Sequence, residues 1–208
     1  MRKKKFFFIV FEGIEGTGKT YQINKLYNNL KKFNYNLQKT REPGGSKTAE
    51  TIRNLIFSNT SNKFDKLTDY YLINASRNEH VKKTLLTARK KNKVIISDRF
   101  TDSTYAYQVI GNKIDKKINL INQKYILGDL KPHLTIILKS NLKTIFSRIK
   151  KRKKNNKFDK LRTIFYKKAQ NAFLNLAKKN RNYLVFDSSK NTPELEKKIL
   201  SAVLKKIN

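Results

Sequence analysis

A glycine-rich segment near the start of the chain limits the possible folds more than any other feature. Its residues match the phosphate-binding pattern G-x-x-x-x-G-K-[S/T]. An apolar run, Phe6–Phe11, comes directly before it, and a stretch with apolar residues at helical spacing, Lys19–Phe33, begins inside it. The phosphate loop consists of Gly13, Ile14, Glu15, Gly16, Thr17, Gly18, Lys19 and Thr20. Strand, loop and helix in this order predict a site for ATP or GTP, and a chance glycine turn is the alternative.

Each residue type in the phosphate loop suits the binding of phosphate. The glycines let backbone N–H groups point at phosphate oxygens, and the following helix adds positive charge at its N-terminus. We expect Lys19 to reach the β- and γ-phosphates and the Thr20 hydroxyl to bind Mg²⁺. Asp98 ends a short apolar run, Val94–Ser97, and is predicted to hold the same Mg²⁺. Its alternative role is to cap a helix that begins near Thr101.

Apolar runs alternate with amphipathic stretches along the rest of the chain. Strands are predicted at Phe6–Phe11, Tyr35–Arg41, Val94–Asp98, Leu134–Leu138 and Tyr183–Phe186. Helices are predicted at Lys19–Phe33, Thr48–Phe57, Leu67–Lys91 and Pro193–Ile207. The alternation predicts the α/β class, as a three-layer P-loop NTPase fold with a five-stranded parallel sheet flanked by helices. Because the chain has 208 residues and no linker rich in Pro, Gly or Ser, residues 1–208 are expected to form a single domain.

The charge of the chain is strongly positive, with 48 Lys and Arg residues against 15 Asp and Glu and a net charge of +33. Such a charge suggests a polyanion as partner. However, lysine is spread through the whole chain and forms no patch, which favours compositional drift. No specific nucleic acid is therefore expected as a partner, although nucleotide phosphates will be attracted in either case.

Cysteine is absent, which excludes disulfides and thiolate metal sites and fits a cytoplasmic protein. The basic start followed by Phe6–Phe11 imitates a signal peptide, but Glu12 ends the apolar run too early, so we expect a buried strand. No later apolar run is long enough to cross a bilayer, and no membrane partner is expected.

Four arginines stand out in a chain that takes most of its positive charge from lysine: Arg41, Arg53, Arg77 and Arg99. A guanidinium group donates two parallel hydrogen bonds and therefore suits phosphate oxygens better than an ammonium group does. Arg41 and Arg99 lie at the carboxyl ends of predicted strands, where open α/β sheets place their ligands. For each arginine taken singly, a solvated surface position is the alternative.

Three segments together resemble a known family in their order and spacing. They are Phe11–Thr20 (F-E-G-I-E-G-T-G-K-T), Thr40–Gly45 (T-R-E-P-G-G) and Asp98–Gln108 (D-R-F-T-D-S-T-Y-A-Y-Q). Their sequences resemble the signatures of the thymidylate kinases, and Leu127–Pro132 is similar to the family's approach to its fourth strand. The resemblance implies a bacterial-type enzyme that transfers the γ-phosphoryl of ATP to dTMP, giving dTDP for dTTP synthesis. It also implies Mg²⁺ as cofactor and a homodimer packed through helices.

The resemblance implies the residues that bind the acceptor nucleotide: Glu15, Arg41, Arg53, Ile73, Arg77, Arg99, Thr104 and Gln108. Glu15 looks like a carboxylate that accepts a hydrogen bond from the deoxyribose 3′-OH. Arg41 and Arg99 match arginines that hold the dTMP phosphate, and Arg99 is also placed to neutralise charge on the migrating phosphoryl group. Arg53 matches a further arginine that contacts the nucleotide.

The base is expected to meet a different set of side chains. Arg77 is similar to the arginine that reaches thymine, and Thr104 and Gln108 match base-reading positions. Ile73 stands where the family usually has an aromatic residue that stacks on thymine. Weaker base affinity is therefore expected in this chain.

A basic segment at about 148–160 is expected to form a lid that closes over ATP, as in the bacterial type. The resemblance implies Arg152 or Arg148 as the catalytic arginine supplied by this lid, and a solvated basic loop is the alternative. Two other functions stay open at this point. One is a P-loop kinase for another nucleotide or a deoxynucleoside, and the other is a basic nucleic-acid-binding ATPase.

Overall fold

The computed structural model describes residues 5–58, 64–151 and 163–207. Five parallel strands form its central sheet: β1 (Phe7–Glu12), β2 (Leu37–Arg41), β3 (Val94–Asp98), β4 (Leu134–Lys139) and β5 (Tyr183–Asp187). Across the sheet they stand in the order β2-β3-β1-β4-β5. The predicted α/β class with a five-stranded parallel sheet is confirmed.

Helices surround the sheet. They are α1 (Lys19–Lys31), α2 (Lys47–Phe57), α3 (Lys66–His80), α4 (Leu86–Lys90), α5 (Thr101–Thr104), α6 (Lys116–Leu127), α7 (Leu142–Lys150), α8 (Thr163–Lys179) and α9 (Pro193–Ile207). Two stretches wind as π-helix, Val81–Leu85 between α3 and α4 and Tyr105–Gly111 after α5. The helix predicted over Leu67–Lys91 is therefore a run of helical turns that changes pitch part-way. Within the described ranges, none of the helices is long and apolar enough to cross a membrane.

The predicted bounds agree with the structure to within a few residues. The strand Val94–Asp98 and the helix Pro193–Ile207 have the predicted limits. Helix α1 ends at Lys31 instead of Phe33, because the chain turns at Asn34, whose φ is 55°. Asparagine tolerates this left-handed conformation better than most residues do.

Polar side chains fix several helix starts. The Ser46 hydroxyl accepts a hydrogen bond from the backbone N–H of Ala49 at the start of α2. The Asp115 carboxylate accepts from the N–H groups of Lys117 and Ile118 at the start of α6. Such caps pair backbone donors that have no partner inside the helix.

The core lies on both faces of the sheet, which explains why β1 reads as a continuous apolar run. Ile9 and Phe11 point to one face and pack in a cluster with residues of α1 and α9, including Leu26. Phe8 and Val10 point to the opposite face and pack with Leu85 and other residues of the π-helical and α4 segment. The phosphate loop thus follows a strand whose two faces are both buried.

The register of the strands brings the candidate site together. Asp98 at the end of β3 lies beside Phe11 of β1 on one side and beside Arg41 of β2 on the other. The carboxyl ends of these three strands therefore share one edge of the sheet, directly next to the phosphate loop. Parallel α/β sheets bind their ligands at this edge.

Candidate active site

The phosphate loop follows β1 and leads directly into α1. A side chain at Gly13, whose φ is 135°, would place its Cβ 2.3 Å from the backbone oxygen of Leu138, so the close packing of loop against β4 requires glycine there. Lys19 is buried, and its ammonium group donates to the backbone oxygens of Gly13 at 2.8 Å and Ile14 at 3.0 Å. Burial and the neighbouring Arg99 guanidinium lower the pKa of Lys19 to about 8.

Thr20 and Asp98 meet at the first turn of α1. The Thr20 hydroxyl donates to Oδ2 of Asp98 at 3.1 Å. Oδ1 of Asp98 is buried and has no hydrogen-bond partner among residues 5–58, 64–151 and 163–207. The alternative role of Asp98 as a helix cap is not observed, because α5 has no side-chain cap hydrogen bond and the N–H of Phe100 donates to Glu12. Asp98 therefore keeps an oxygen available beside the phosphate loop.

One cavity opens between the phosphate loop, the end of β3 and helices α2 and α3. It is lined by the residues predicted to bind the acceptor, namely Glu15, Arg41, Arg53, Ile73, Arg77, Arg99, Thr104 and Gln108, and by Gly16, Gly18, Lys19, Thr20 and Asp98. Gly13, Ile14 and Thr17 do not line it. Ile14 and Thr17 are fully buried, and the Thr17 hydroxyl donates to the backbone oxygen of Ile14. These two residues therefore stabilise the conformation of the loop.

Arg99 and Glu15 form the charged centre of this cavity. Nη2 of Arg99 donates to Oε1 of Glu15 at 2.7 Å, and Nη1 donates to the backbone oxygen of Gly13 at 3.0 Å. Burial alone would lower the pKa of Arg99, but Glu15, together with Tyr107, Asp98 and Glu12, outweighs the effect of burial and raises that pKa. Burial alone would raise the pKa of Glu15, but Arg99 and Lys19 together lower it. Both groups are therefore charged at neutral pH.

Arg77 is buried in the cavity wall and donates four hydrogen bonds, one of them from Nη1 to Oδ1 of Asn74 at 3.3 Å. Its Nε donates to Oε2 of Glu42 at 2.7 Å, and its Nη2 donates to the Thr104 hydroxyl at 2.8 Å and to the backbone oxygen of Phe100 at 3.2 Å. Glu42 also contacts Nδ1 of His80 at 2.9 Å. Burial would raise the pKa of Glu42, but Arg77 and His80 outweigh it and lower that pKa.

Arg41 and Arg53 occupy the outer part of the cavity. Arg41 is exposed and makes two hydrogen bonds to Glu50, at 3.2 Å from Nε and 2.8 Å from Nη2. Nη1 of Arg53 donates to the backbone oxygen of Pro43 at 2.6 Å, and its guanidinium lies over the Phe57 ring, 4.6 Å from the centroid. These two arginines are thus placed at the rim, whereas Arg77 and Arg99 are in the interior.

Comparisons with known proteins identify the family. The thymidylate kinase family model matches residues 11–199. The thymidylate kinase of Mycoplasma capricolum is 34% identical over 203 residues, which cover 96% of this chain and 95% of that protein. That of Wolbachia pipientis wMel is 38% identical over 173 residues, covering 82% of this chain and 84% of that protein. The chain belongs to the thymidylate kinase family.

A solved structure agrees with this assignment. The crystal structure of thymidylate kinase from Ehrlichia chaffeensis matches with a TM-score of 0.77 and 29% identity, over 96% of this chain and 99% of that one. As a thymidylate kinase the chain is a phosphotransferase that moves the γ-phosphoryl of ATP to dTMP. The predicted family and the predicted P-loop NTPase fold are confirmed.

The structure describes only the first residues of the segment at about 148–160 that is predicted to form a basic lid. Arg148 lies on α7, where Nη1 donates to the backbone oxygen of Gly16 at 3.2 Å and Nη2 to that of Ser189 at 3.0 Å. Arg148 therefore joins the phosphate loop to the segment after β5. Arg152, the residue predicted to be catalytic, and the rest of the lid lie outside the described residues.

Two acidic residues at the site were not predicted from the sequence. Glu42 lies inside the segment T-R-E-P-G-G, so its motif marked the place without indicating its partners. Glu12, at the end of β1, is fully buried, and Oε1 accepts from the N–H of Phe100 at 2.8 Å and of Ser103 at 3.2 Å. Burial and the neighbouring Asp102 carboxylate raise the pKa of Glu12 to about 8.

His133, by contrast, has a structural position. Its Nδ1 accepts a hydrogen bond from the N–H of Phe8 at 3.0 Å, and its ring stacks on that of Phe7 with centroids 4.9 Å apart. Burial lowers its pKa, which favours the neutral ring needed to accept that bond. These contacts give His133 a structural role directly before β4.

The raised pKa of Glu12 predicts how stability depends on pH. Because this pKa is about 8 in the folded chain against an ordinary 4.5, the folded state binds one more proton between these values. The resulting stabilisation of the folded chain is complete below pH 4.5 and is lost as the pH rises through about 8. We expect the free energy of unfolding of Glu12→Gln, relative to wild type, to increase from pH 5.5 to 8.5, by at most about 1.4 kcal/mol per pH unit.

Chemical denaturation at several pH values measures this difference. Glu194→Gln is the matched control, because Glu194 lies at the surface in the first turn of α9 and its pKa is lowered. Its contribution therefore changes only at more acidic pH, and its curve should run parallel to that of wild type. A Glu12→Gln curve that is also parallel to wild type would contradict the prediction.

Proposed function

We propose that this cavity binds dTMP with its phosphate between Arg41 and Arg99, facing the γ-phosphate of an ATP bound at the phosphate loop. One observation carries the proposal: every residue predicted to bind the acceptor lines the same cavity as Lys19 and Thr20. Two nucleotides bound there would meet through their phosphates. Such positioning is the main requirement for phosphoryl transfer.

The ATP side is assigned to the phosphate loop. Its backbone N–H groups and the N-terminus of α1 would surround the β- and γ-phosphates, with Lys19 between them. The Lys19 ammonium group lies against the loop, where it donates to the backbone oxygens of Gly13 and Ile14. Arg148 contacts the same loop and would add a second positive charge, while the catalytic role of Arg152 stays a prediction.

Mg²⁺ is proposed as the cofactor, with Thr20 and Asp98 as the protein groups that hold it. A hydroxyl and a carboxylate 3.1 Å apart, with one carboxylate oxygen lacking a partner in the described part of the chain, fit an ion that prefers oxygen ligands. No group of three or more Asp, Glu, His or Cys side chains forms a metal site among the described residues. ATP phosphates and water would supply the remaining ligands, and the bound ion would neutralise phosphate charge.

The acceptor side uses the remaining residues of the cavity. Glu15, kept ionised by Arg99 and Lys19, is proposed to accept a hydrogen bond from the deoxyribose 3′-OH. Arg77, Thr104 and Gln108 are proposed to meet the thymine edge, and Ile73 its face. Because the dTMP phosphate is ionised at neutral pH, no general base is required, and the protein contributes positioning and charge neutralisation.

An assay of ADP release with different acceptors tests the proposed function. With ATP and Mg²⁺, we expect kcat/KM for dTMP to exceed that for dCMP and AMP by at least about a hundredfold, because a site built to hydrogen-bond one base leaves polar groups unpaired with another. Chelation of Mg²⁺ should abolish turnover. Faster turnover of dCMP or AMP would contradict the proposal, as would ATP hydrolysis that depends on DNA without any turnover of dTMP.

We also propose that the chain forms a homodimer through α6 and α3. α6 exposes large apolar side chains, among them Leu120 at 65% and Tyr125 at 81% of their surface, and α3 exposes Tyr71. The two helices are joined by a hydrogen bond of 3.0 Å from Asn122 to the Tyr70 hydroxyl. Exposed apolar groups clustered on adjacent helices are typical of an interface between subunits.

Charge placed on this surface should separate the subunits. We expect Leu120→Glu or Tyr125→Glu to convert a dimer to a monomer in size-exclusion chromatography with light scattering, because an interface core does not tolerate an unpaired carboxylate. Ile164→Glu is the control, since Ile164 is equally exposed but lies on α8. A wild-type monomer, or a dimer unaffected by either change on α6, would contradict the proposal.

Two further expectations are retained as proposals. The whole chain, residues 1–208, is proposed to act as one nucleoside monophosphate kinase domain, which the five-stranded sheet and the apolar clusters of the described residues support. A cytoplasmic location is also proposed. A chain without cysteine fits the reducing cytoplasm, where ATP is available as a substrate.

A further inference from the structure

Glu12 is a buried carboxyl group that does not line the cavity, yet three hydrogen bonds direct it at the segment that carries Arg99. Oε1 accepts from the N–H groups of Phe100 and Ser103, and Oε2 accepts from the Ser103 hydroxyl at 2.6 Å. Nη1 of Arg99 in turn donates to the same hydroxyl at 2.9 Å. Glu12, Ser103 and Arg99 therefore form a continuous chain of hydrogen bonds from the end of β1 to the cavity.

The backbone of Arg99 makes this support necessary. Its φ is 74°, a left-handed conformation that a residue with a long side chain rarely adopts. The N–H of Arg99 donates to the backbone oxygen of Phe11 at 2.9 Å, and its own oxygen accepts from the Ser97 hydroxyl at 2.8 Å. Strained residues persist where the surroundings fix them from several sides, and they are concentrated at functional sites. Glu12 holds the chain on the C-terminal side of Arg99, because it accepts hydrogen bonds from the N–H groups of Phe100 and Ser103.

We propose that Glu12 is a positioning residue for phosphoryl transfer, which acts on Arg99 through Ser103 and the backbone of Phe100. The proposal rests on the function proposed above, in which Arg99 contacts the transferred phosphoryl group. Glu12 binds no nucleotide in this scheme. It holds the Arg99 segment so that the guanidinium faces the phosphates at the correct angle, and a displacement of about 1 Å at such a group costs about a hundredfold in rate.

A kinetic double-mutant cycle tests this coupling. We expect Glu12→Ala to lower kcat for dTMP by about a hundredfold and to change the KM for ATP by less than about threefold, because the phosphate loop is untouched. Glu12→Gln keeps an acceptor for both N–H groups and should lose less activity than Glu12→Ala. Ser103→Ala breaks only the side-chain link and should also lower kcat. In an Arg99→Ala background each of these changes should lower kcat by less than about threefold further.

A control variant separates positioning from general destabilisation. Asp115→Ala removes a carboxylate that pairs two N–H groups at the start of α6, away from the cavity, and should lower the melting temperature without changing kcat. If Glu12→Ala does not fold, the Ser103→Ala cycle measured with radiolabelled ATP gives the same test. Full additivity of Glu12 or Ser103 changes with Arg99→Ala would overturn the proposal. A wild-type chain that does not phosphorylate dTMP would instead overturn the proposed function.

Discussion

Replacing Lys19 with alanine should lower kcat for dTMP phosphorylation by about a thousandfold or more, the upper range for loss of one preorganised charged donor. The reason lies in its burial: the ammonium group is almost fully enclosed, and its only hydrogen bonds among the described residues are to the loop oxygens of Gly13 and Ile14. In such surroundings its attraction to phosphate is screened little by water. The folded structure should persist, because the loop is also fixed by its glycines and by Thr17.

Steady-state kinetics and circular dichroism on the same preparation measure both expectations. Lys25→Ala is the matched control, because Lys25 belongs to the same helix but is exposed and pairs with Glu196 at 3.4 Å. A surface ion pair of this kind contributes little, so its loss should leave kcat unchanged. If Lys19→Ala keeps more than about a tenth of wild-type kcat, the phosphate loop does not hold the transferred phosphate as proposed.

Features that depend on local sequence were predictable. A glycine loop between a buried strand and a helix places its phosphate-binding groups at the N-terminus of that helix. The position of Lys19 and Thr20 in the first turn of α1 therefore followed from the motif. The strand-end positions of Asp98 and Arg41 were predictable for the same reason, because the carboxyl ends of parallel strands in one sheet lie together. That the two residues lie side by side is known only from the register of β2 and β3.

Features that depend on contacts distant in sequence were not predictable. Glu12 meets Ser103, which lies 91 residues away, and Glu42 meets Arg77, which is 35 residues away. Nothing in the apolar pattern of β1 distinguishes a carboxyl that ends the strand in solvent from one that is buried under the next loop. The tertiary structure alone determines this, and in it both carboxyl groups hydrogen-bond to arginines named in the sequence analysis or to the segments that carry them.

A change of Arg99 to alanine should have the second large effect, a loss in kcat of about 10³-fold or more with a smaller rise in KM for dTMP. Arg99 lies between Glu15 and the loop oxygen of Gly13, so its guanidinium is placed where the two phosphates are proposed to meet. Removing it would also leave the Glu15 carboxylate buried without its nearest positive charge, which raises the pKa of Glu15 and weakens its bond to the deoxyribose.

Arg41→Ala is the comparison variant that separates binding of dTMP from phosphoryl transfer. Arg41 is exposed at the rim and paired with Glu50, so Arg41→Ala should raise KM for dTMP and change kcat much less. Arg99→Lys keeps the charge but replaces the two terminal nitrogens that donate to Glu15, Gly13 and Ser103 with a single nitrogen on a shorter side chain, so it should recover only a small part of the lost kcat. Full recovery with lysine would mean that charge alone suffices. The same loss of kcat from both arginines would mean that the rim and the interior of the cavity do not have separate roles in binding and transfer.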